Sequence, residues 1–442
     1  MSADELIHPR NVHEILNRHI LTDGYDIVLD LQKSKGMMLH DARSGKEYLD
    51  LFTFFASNPL GMNHPALDNA EFRDKLGRVA VNKPSNSDIY TGEMAEFVDN
   101  FSRVGIPGYL PHSFFIAGGA LAVENALKVA FDWKVQKNFE KGYREERGFK
   151  VLHLDQAFHG RSGYTLSLTN TDPRKTRYFP KFDWPRIASP AMEYPETPER
   201  AASAEERERR ALAQAERHFE RNPDQIACII LEPIQGEGGD RHFRPEFHRA
   251  LRELADRHEA LLVHDEVQTG VGLTGRFWAH EHYIKPDILA FGKKAQVCGI
   301  LAGERIDEVP DNCFKVSSRI NSTWGGNLVD MVRFGRILQV IEEEELVQNA
   351  EQKGQFLQKG LRELASEHEV LSNPRGKGLM CAVDLPDAAT RDAVRRACFE
   401  RQMMILGCGE RTLRFRPPLT VQQEQLTRAL EIVEASVKAV KA

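Results

Sequence analysis

Short apolar runs alternate with amphipathic helical patterns through the chain from about residue 112 onward. The helical patterns include LAVENALKVAFDW and EFHRALRELADRH, and the apolar runs are HSFFIA, KVLHLD, QIACIILE, ALLVHDEV and DILAFG. Strands that are apolar on both faces are typical of parallel sheets covered by helices on both sides. The sequence therefore predicts an α/β fold with a mostly parallel central sheet flanked by helices.

The chain is too long for one hydrophobic core. Its 442 residues exceed the roughly 250–300 at which single cores stop growing, so we expect more than one domain. The first stretch has only short strand-like pieces, and the last has two long helical patterns and the strand-like TLRFRPPL. We predict a large domain over 66–330 and a smaller α+β domain built from both ends, 1–65 and 331–442. The highly charged stretch 196–222 predicts a surface helix.

Charge and composition exclude several classes of protein. The formal net charge is −6 and the chain has no basic tract, so neither a nucleic-acid partner nor an anionic membrane surface is expected. It has no run of about 18 apolar residues and no signal-peptide pattern at its start. The six cysteines are scattered, without metal-ligand spacing, which favours reduced thiols and no bound metal. We expect a soluble cytoplasmic enzyme.

Two of the predicted strands are followed by residues suited to anion and cation binding. After HSFFIA come Gly118, Gly119 and Ala120, which open a helix and leave its first N–H groups free for a phosphate, although a glycine-rich turn alone explains them. After ALLVH come Asp265 and Gln268. A carboxylate at the end of a buried strand needs a cation or a hydrogen-bond donor, or else it caps a helix.

Two further strands end in a lysine pair and in an aromatic residue. After DILAFG come Lys293 and Lys294. A lysine at such a position acts as a Schiff-base nucleophile when burial lowers its pKa. We expect at least one of the two to have only a structural role. After KVLHLDQ come Phe158 and Arg161. Phe158 is suited to stacking on a ring and Arg161 to binding a carboxylate, although a core phenylalanine and a surface arginine would also explain them.

Together these four places match one cofactor. Pyridoxal phosphate carries a phosphate, a protonated ring nitrogen, an aromatic ring and an aldehyde, and each finds a counterpart in the four sets of residues. We therefore predict a pyridoxal-phosphate enzyme.

The chain also resembles the class III, or ω-, aminotransferases, which are fold-type-I enzymes dependent on pyridoxal phosphate. The resemblance covers nearly the whole chain and is carried by GGALAVENALK (118–128), AFHGR (157–161), EPIQGEGG (232–239), HDEVQTG (264–270), PDILAFGKK (286–294), NSTWGGN (321–327) and RFRPPL (414–419). Within the family, HGRSGYTLSLTNT, EGGDRHFRPEF and FGKKAQVCG are most similar to members that act on the ε-amino group of L-lysine.

The resemblance implies a role for each residue around the cofactor ring. Lys293 would bind the cofactor as a Schiff base and transfer the proton during catalysis. Asp265 would pair with the ring nitrogen, Val267 and Phe158 would contact the two faces of the ring, and Gln268 would hydrogen-bond its phenolic oxygen.

The phosphate site implied by the resemblance involves two subunits. Backbone N–H groups of Gly119 and Ala120 would bind the phosphate, helped by Thr323 of the partner subunit, so a homodimer is expected. Many family members have a hydroxyl residue where this chain has Ala120, which puts only that side-chain contact in doubt.

The resemblance also implies how one site accepts L-lysine and 2-oxoglutarate in turn, giving (S)-2-amino-6-oxohexanoate and L-glutamate. Arg161 would bind the distal carboxylate of either substrate. Arg414 would bind the second carboxylate of 2-oxoglutarate or glutamate, and Glu237 would neutralise Arg414 when lysine is bound. Asn321 would contact the substrate from the partner subunit.

Several alternatives remain open at the level of sequence. Ornithine and 4-aminobutyrate aminotransferases share these arginines, and the depth of the pocket, which we attribute to FTFFASNPLGMNHP (52–65), would separate them. A mutase or decarboxylase would use the same Lys293 and Asp265. A protein that binds the cofactor without catalysis is disfavoured by the complete set of site residues.

Overall fold

The computed structural model describes residues 7–441. The helical segments of this range are α1 (Val12–Asn17), α2 (Thr53–Ala56), α3 (Ala70–Ala80), α4 (Gly92–Val104), α5 (Gly119–Glu140), α6 (Thr165–Leu168), α7 (Pro198–Arg221), α8 (Pro245–Arg257), α9 (Leu328–Glu343), α10 (Leu346–Glu367), α11 (Ala388–Glu400) and α12 (Gln423–Lys441). Short 3₁₀ turns cover Pro9–Asn11, Pro173–Lys175, Ala279–His282, Lys293–Ala295 and Glu304–Glu308.

The strands form three sheets. They are β1 (Met38–His40), β2 (Glu47–Asp50), β3 (His112–Ile116), β4 (Lys150–Leu154), β5 (Arg186–Ile187), β6 (Ile226–Leu231), β7 (Leu261–Asp265), β8 (Ile288–Phe291), β9 (Cys298–Ala302), β10 (Ser372–Lys377), β11 (Met380–Asp384), β12 (Met403–Met404), β13 (Leu406–Cys408) and β14 (Thr412–Phe415). The largest sheet has seven strands in the order β3-β9-β8-β7-β6-β4-β5. From β8 to β5 every pair is parallel, and only β9 runs against its two neighbours.

Both faces of this central sheet are buried, which explains the continuous apolar runs. Successive side chains of a strand point to opposite faces. Along β6, Ile230 belongs to the hydrophobic cluster that includes α5, whereas its neighbour Ile229 belongs to the cluster that includes α7 and α8. The predicted α/β class and the mostly parallel sheet are therefore confirmed.

The two ends of the chain share a sheet. Strand β12, from the C-terminal part, pairs in parallel with β2, from the N-terminal part, through Met403 opposite Leu49. The remaining C-terminal strands form an antiparallel sheet in the order β10-β11-β14-β13. One hydrophobic cluster joins both ends to α4 and to the edge of the central sheet, so the exact bounds at 65 and 331 stay a prediction.

Helix α7 is the surface helix that the charged stretch predicts. Thr197 caps its first turn, and ion pairs such as Glu206 with Arg210 lie on its exposed side. Its small buried side, with Ala211 and Ala215, packs on the sheet. No helix among residues 7–441 is long and apolar enough to cross a membrane. The six cysteines are all buried and unpaired.

Candidate active site

A cavity of about 310 Å³ lies where β4, β7 and β8 end and α5 begins. The carboxyl ends of parallel strands are where open α/β sheets place their ligands. All four sequence segments with strand-end chemistry contribute to it, one of them through the start of α5. The cavity is lined by Gly119, Ala120, Phe158, His159, Gly160, Arg161, Glu232, Asp265, Val267, Gln268 and Lys293.

Helix α5 begins at this cavity without a side-chain cap. Its N-cap is Gly118, at a φ of 112°, so the first N–H groups of the helix have no side-chain acceptor. Uncapped N–H groups and the helix dipole favour an anion at this position. A Cβ atom on Gly119 would lie 2.8 Å from Cγ1 of Val267, so this glycine lets the helix start approach the residue expected to contact the ring.

Asp265 ends strand β7 and is held in place by two donors. It is buried, with 5% of its surface exposed. His159 Nδ1 lies 2.8 Å from one carboxylate oxygen, and the backbone N–H of Val267 donates to the other at 3.0 Å. His159 Nε2 is buried without a partner among the described residues. No role was predicted for His159, because it lies 106 positions from Asp265 and no sequence pattern connects the two.

The two adjacent lysines have different surroundings. Lys293 lines the cavity, and burial, followed by the charge of Arg414, lowers its pKa to about 8. Lys294 is buried elsewhere and donates to the carbonyl oxygens of Gln268 at 2.7 Å and Ala56 at 3.2 Å. Lys293 is thus the lysine available to an aldehyde in the cavity. Lys294 connects α2 to the loop that follows β7.

Sequence reasoning missed Glu232, which directly follows strand β6. It accepts hydrogen bonds from the backbone N–H groups of Phe158 at 3.0 Å and Gly236 at 2.9 Å. Burial, reinforced by the charge of Asp265, raises its pKa to about 7. Glu232 therefore fixes the backbone that carries Phe158, and an acidic residue directly after the apolar run of β6 is the signal that indicates it.

Gln268 is also positioned by a residue that the sequence did not single out. Its Oε1 atom accepts from Arg416 Nη2 at 3.0 Å and from Nε at 3.3 Å. Arg416 is itself buried and paired with Asp240 at 2.5 Å. Because its oxygen is occupied, Gln268 has its amide N–H group left for a ligand in the cavity.

Glu237 lies between two cations, Arg414 and Lys175. These three residues are called here the Glu237 cluster. Arg414 Nη2 donates to Oε2 of Glu237 at 2.9 Å, and Lys175 Nζ donates to Oε1 at 2.6 Å. Burial alone raises the pKa of Glu237, but Arg414 and Lys175 outweigh burial and hold that pKa below its usual range. The Glu237–Arg414 pair was expected, whereas Lys175 was not.

Arg414 keeps unused hydrogen-bonding capacity. Its side chain is 2% exposed, and its Nε and Nη1 atoms are buried without partners among residues 7–441. An arginine with free donors is suited to a carboxylate, which it binds through two N–H groups. The guanidinium carbon of Arg414 lies over the Phe55 ring, 6.0 Å from its centre. Phe55 belongs to α2, a turn whose four residues all have positive φ angles.

The remaining expected residues lie at the mouth of the cavity or away from it. Arg161 is exposed and lines the cavity. Asn321 and Thr323 are exposed and do not line it. Within this single chain the structure therefore does not bring the segment 321–327 to the other site residues.

The chain matches known proteins over nearly its full length. Residues 21–437 match the family described as Aminotransferase class-III. The L-lysine-epsilon aminotransferase of Mycobacterium bovis is 57% identical, with 98% of this chain and 96% of that protein covered. The protein of the same name from Amycolatopsis lactamdurans is 56% identical, with 97% and 96% covered. A solved lysine aminotransferase from M. tuberculosis in the internal aldimine form superposes with a TM-score of 0.96 at 55% identity, covering 98% and 99% of the two chains.

The chain belongs to the class III aminotransferases, and its cofactor is pyridoxal phosphate. The residues of the cavity independently fit this cofactor. The uncapped start of α5 suits a phosphate, the buried Asp265 suits a protonated ring nitrogen, and Lys293, with its lowered pKa, suits an aldehyde.

Proposed function

We propose that this protein transfers the ε-amino group of L-lysine to 2-oxoglutarate, giving (S)-2-amino-6-oxohexanoate and L-glutamate in ping-pong order. Its similarity to the L-lysine-epsilon aminotransferases supports the choice of amino donor. The observation that carries the proposal is the Glu237–Arg414 pair, because an arginine that is neutralised in one state and free in another is what two alternating substrates require.

The cofactor-binding residues hold the ring in one orientation. Bound pyridoxal phosphate supplies an electron sink for the negative charge that develops on the reacting carbon. Asp265, held by His159, would keep the proton on the ring nitrogen, while Val267 and Phe158, which line the cavity, would contact the two ring faces. Gln268 donates to the phenolic oxygen.

Two further groups complete the binding of the cofactor and the proton transfer. The N–H groups of Gly119 and Ala120 would bind the phosphate, and Thr323 of the partner subunit would complete the site in a homodimer. Lys293 would hold the cofactor through its amine and, as the nearby amine, would move the proton during catalysis.

The substrate residues separate the two half-reactions. Arg161 binds the carboxylate far from the reacting carbon, which both substrates have, and Asn321 of the partner subunit contacts the substrate. Lysine brings no carboxylate next to the reacting carbon, so Glu237 stays on Arg414 and compensates its charge. 2-Oxoglutarate does bring one, and Glu237 must then leave Arg414. An unpaired buried charge costs about 3–5 kcal/mol, which makes this exchange necessary in both directions.

Incubation of the purified protein with 2-oxoglutarate and, in separate reactions, lysine, ornithine or 4-aminobutyrate tests the proposal. We expect glutamate to form fastest with lysine, together with an aldehyde that cyclises. Faster glutamate formation from ornithine or 4-aminobutyrate would assign a different amino donor. The absence of glutamate with every donor would favour a mutase or decarboxylase. We also expect the enzyme to be cytoplasmic, in line with its buried, unpaired cysteines.

A further inference from the structure

The Glu237 cluster contains a second cation whose position explains where Glu237 goes when it leaves Arg414. Lys175 Nζ lies 2.6 Å from Glu237 Oε1, on the carboxylate oxygen that Arg414 does not use. Arg414 lies on strand β14 and is 2% exposed, whereas the side chains of Lys175 and Glu237 are 24% and 25% exposed. The buried arginine is the fixed member of the cluster, and the other two have room to move.

The space into which the Glu237 side chain can move lies on the side of Lys175. Lys175 and Glu237 line a second cavity, of about 630 Å³, which Arg414 does not line. A Glu237 carboxylate that moves away from Arg414 therefore enters a space that contains Lys175.

The other cations of that cavity already face other carboxylates. Arg174 pairs with Asp172 at 2.8 Å, Arg391 pairs with Asp392 at 2.7 Å, and Arg395 lies 3.8 Å from Asp392. Among the described cations of the cavity, Lys175 is the one that binds Glu237.

Lys175 also connects the cluster to the cofactor cavity. Its ammonium lies 5.3 Å from the centre of the Phe158 ring, which lines that cavity, in the range of a cation–π contact. The side chain starts at the end of the 3₁₀ turn Pro173–Lys175, so it is anchored independently of Glu237 and of β14.

We propose that Lys175 is a positioning residue that holds Glu237 after it leaves Arg414, and so sets the affinity for the dicarboxylate substrate. This inference rests on the proposed exchange at Arg414. With lysine bound, Glu237 contacts both cations. When the second carboxylate of 2-oxoglutarate or glutamate reaches Arg414, Glu237 keeps its contact with Lys175, and its charge is never left without a partner. Without Lys175, Glu237 competes with the substrate for Arg414.

The test compares the two half-reactions in Lys175→Met, with Arg174→Met as the matched control for the loss of one cation from the same turn. The lysine half-reaction is followed in single turnover, and the 2-oxoglutarate half-reaction is followed on enzyme loaded with pyridoxamine phosphate. Lys175→Met should lower kcat/KM for 2-oxoglutarate at least about tenfold, mainly through KM, and change the lysine half-reaction less than about threefold. Lys175→Arg should restore 2-oxoglutarate use, and Arg174→Met should change neither half.

Two further measurements separate positioning from other roles. The Kd of glutarate, a dicarboxylate that cannot react, should rise about tenfold in Lys175→Met and return towards the wild-type value in Lys175→Arg. In a Glu237→Gln background, Lys175→Met should have no further effect on 2-oxoglutarate, because the carboxylate through which Lys175 acts is gone.

Equal losses in both half-reactions, or no loss in either, would overturn the inference. So would a full effect of Lys175→Met in the Glu237→Gln background, because Lys175 would then contact the substrate directly. The 2-oxoglutarate half-reaction is measured without an amino donor, so it tests Lys175 even when lysine proves to be the wrong donor for the wild-type enzyme.

Discussion

The cofactor cavity and the Glu237 cluster differ in how completely hydrogen-bond partners hold their charged side chains in place. Asp265 is 5% exposed, and each of its oxygens has a donor that is itself held by the fold. Glu237 is 25% exposed and lies between two cations, of which Arg414 has two nitrogen atoms without a partner in the described part of the chain. A carboxylate held by fixed donors suits a group that stays bound throughout the cycle, whereas an arginine with unpartnered N–H groups suits substrates that alternate.

The largest expected effect comes from Lys293, on the cofactor side. Lys293→Ala removes the amine that we propose binds the aldehyde and moves the proton, so glutamate formation should fall by at least ~10⁴-fold and the visible absorbance of the bound cofactor should change. Lys294→Met is the control, since that lysine bonds two backbone carbonyls outside the cavity. It should lower the melting temperature and keep the cofactor absorbance. Substantial transaminase activity in Lys293→Ala would refute the assignment.

Asp265 should show the next largest effect. Asp265→Asn keeps a similar size but removes the charge proposed to hold the proton on the ring nitrogen, so kcat should fall by about 10²–10³-fold at saturating cofactor. Glu232→Gln is the matched comparison, because Glu232 is also a buried strand-end carboxylate but contacts backbone N–H groups only within the described chain. Its kcat should fall far less. Similar losses in the two variants would mean that any buried charge at this edge of the sheet is equally important.

A smaller effect is expected at the start of α5. A Cβ atom on Gly119 would come within 2.8 Å of Val267 Cγ1, so Gly119→Ala should raise the Kd of pyridoxal phosphate by about tenfold, as overpacking of about 1–3 kcal/mol predicts. Fluorescence titration of the apoenzyme measures this. Val267→Ala should restore much of the affinity in the double variant. A double variant no better than Gly119→Ala alone would rule out that contact as the cause.

The smallest effect links the two regions through charge. Burial and then Arg414 lower the pKa of Lys293 to about 8, and only the neutral amine attacks an aldehyde. The rate at which the apoenzyme takes up pyridoxal phosphate should therefore rise with pH, with a midpoint near 8. Arg414→Met removes a positive charge that disfavours the ammonium, so it should move this midpoint upward, whereas Arg174→Met should leave it in place. An unchanged midpoint in Arg414→Met would show that the two regions are not coupled electrostatically.

The fold was predictable from sequence because its strongest pattern is local. The run QIACIILE predicts a strand covered on both faces, and β6 is buried over its full length, Ile226–Leu231. The strand ends then locate the cavity, because parallel strands all end at one edge of the sheet. This reasoning predicts Gly119, Asp265 and the pair Lys293 and Lys294 as site residues, and the resemblance to the family then selects Lys293 from the pair.

The contacts that position those residues were not predictable from the sequence. Lys175 and Glu237 are 62 positions apart and belong to different loops, and no spacing rule connects them. The turn α2 is a further case: Thr53, Phe54 and Phe55 have positive φ angles, which residues other than glycine rarely adopt, so the letters FTFF do not predict it. That turn is held by tertiary contacts, such as Thr53 Oγ1 to the carbonyl oxygen of Arg416 at 2.7 Å.

The exchange at Arg414 is tested most directly by measuring both half-reactions separately in Glu237→Ala. Without Glu237, Arg414 carries an uncompensated charge when lysine binds, while the carboxylate of 2-oxoglutarate still compensates it. We expect the lysine half-reaction to slow by at least about tenfold in single turnover and the 2-oxoglutarate half-reaction to keep or improve its kcat/KM. Equal losses in the two half-reactions would contradict the exchange at Arg414 on which the proposed function depends.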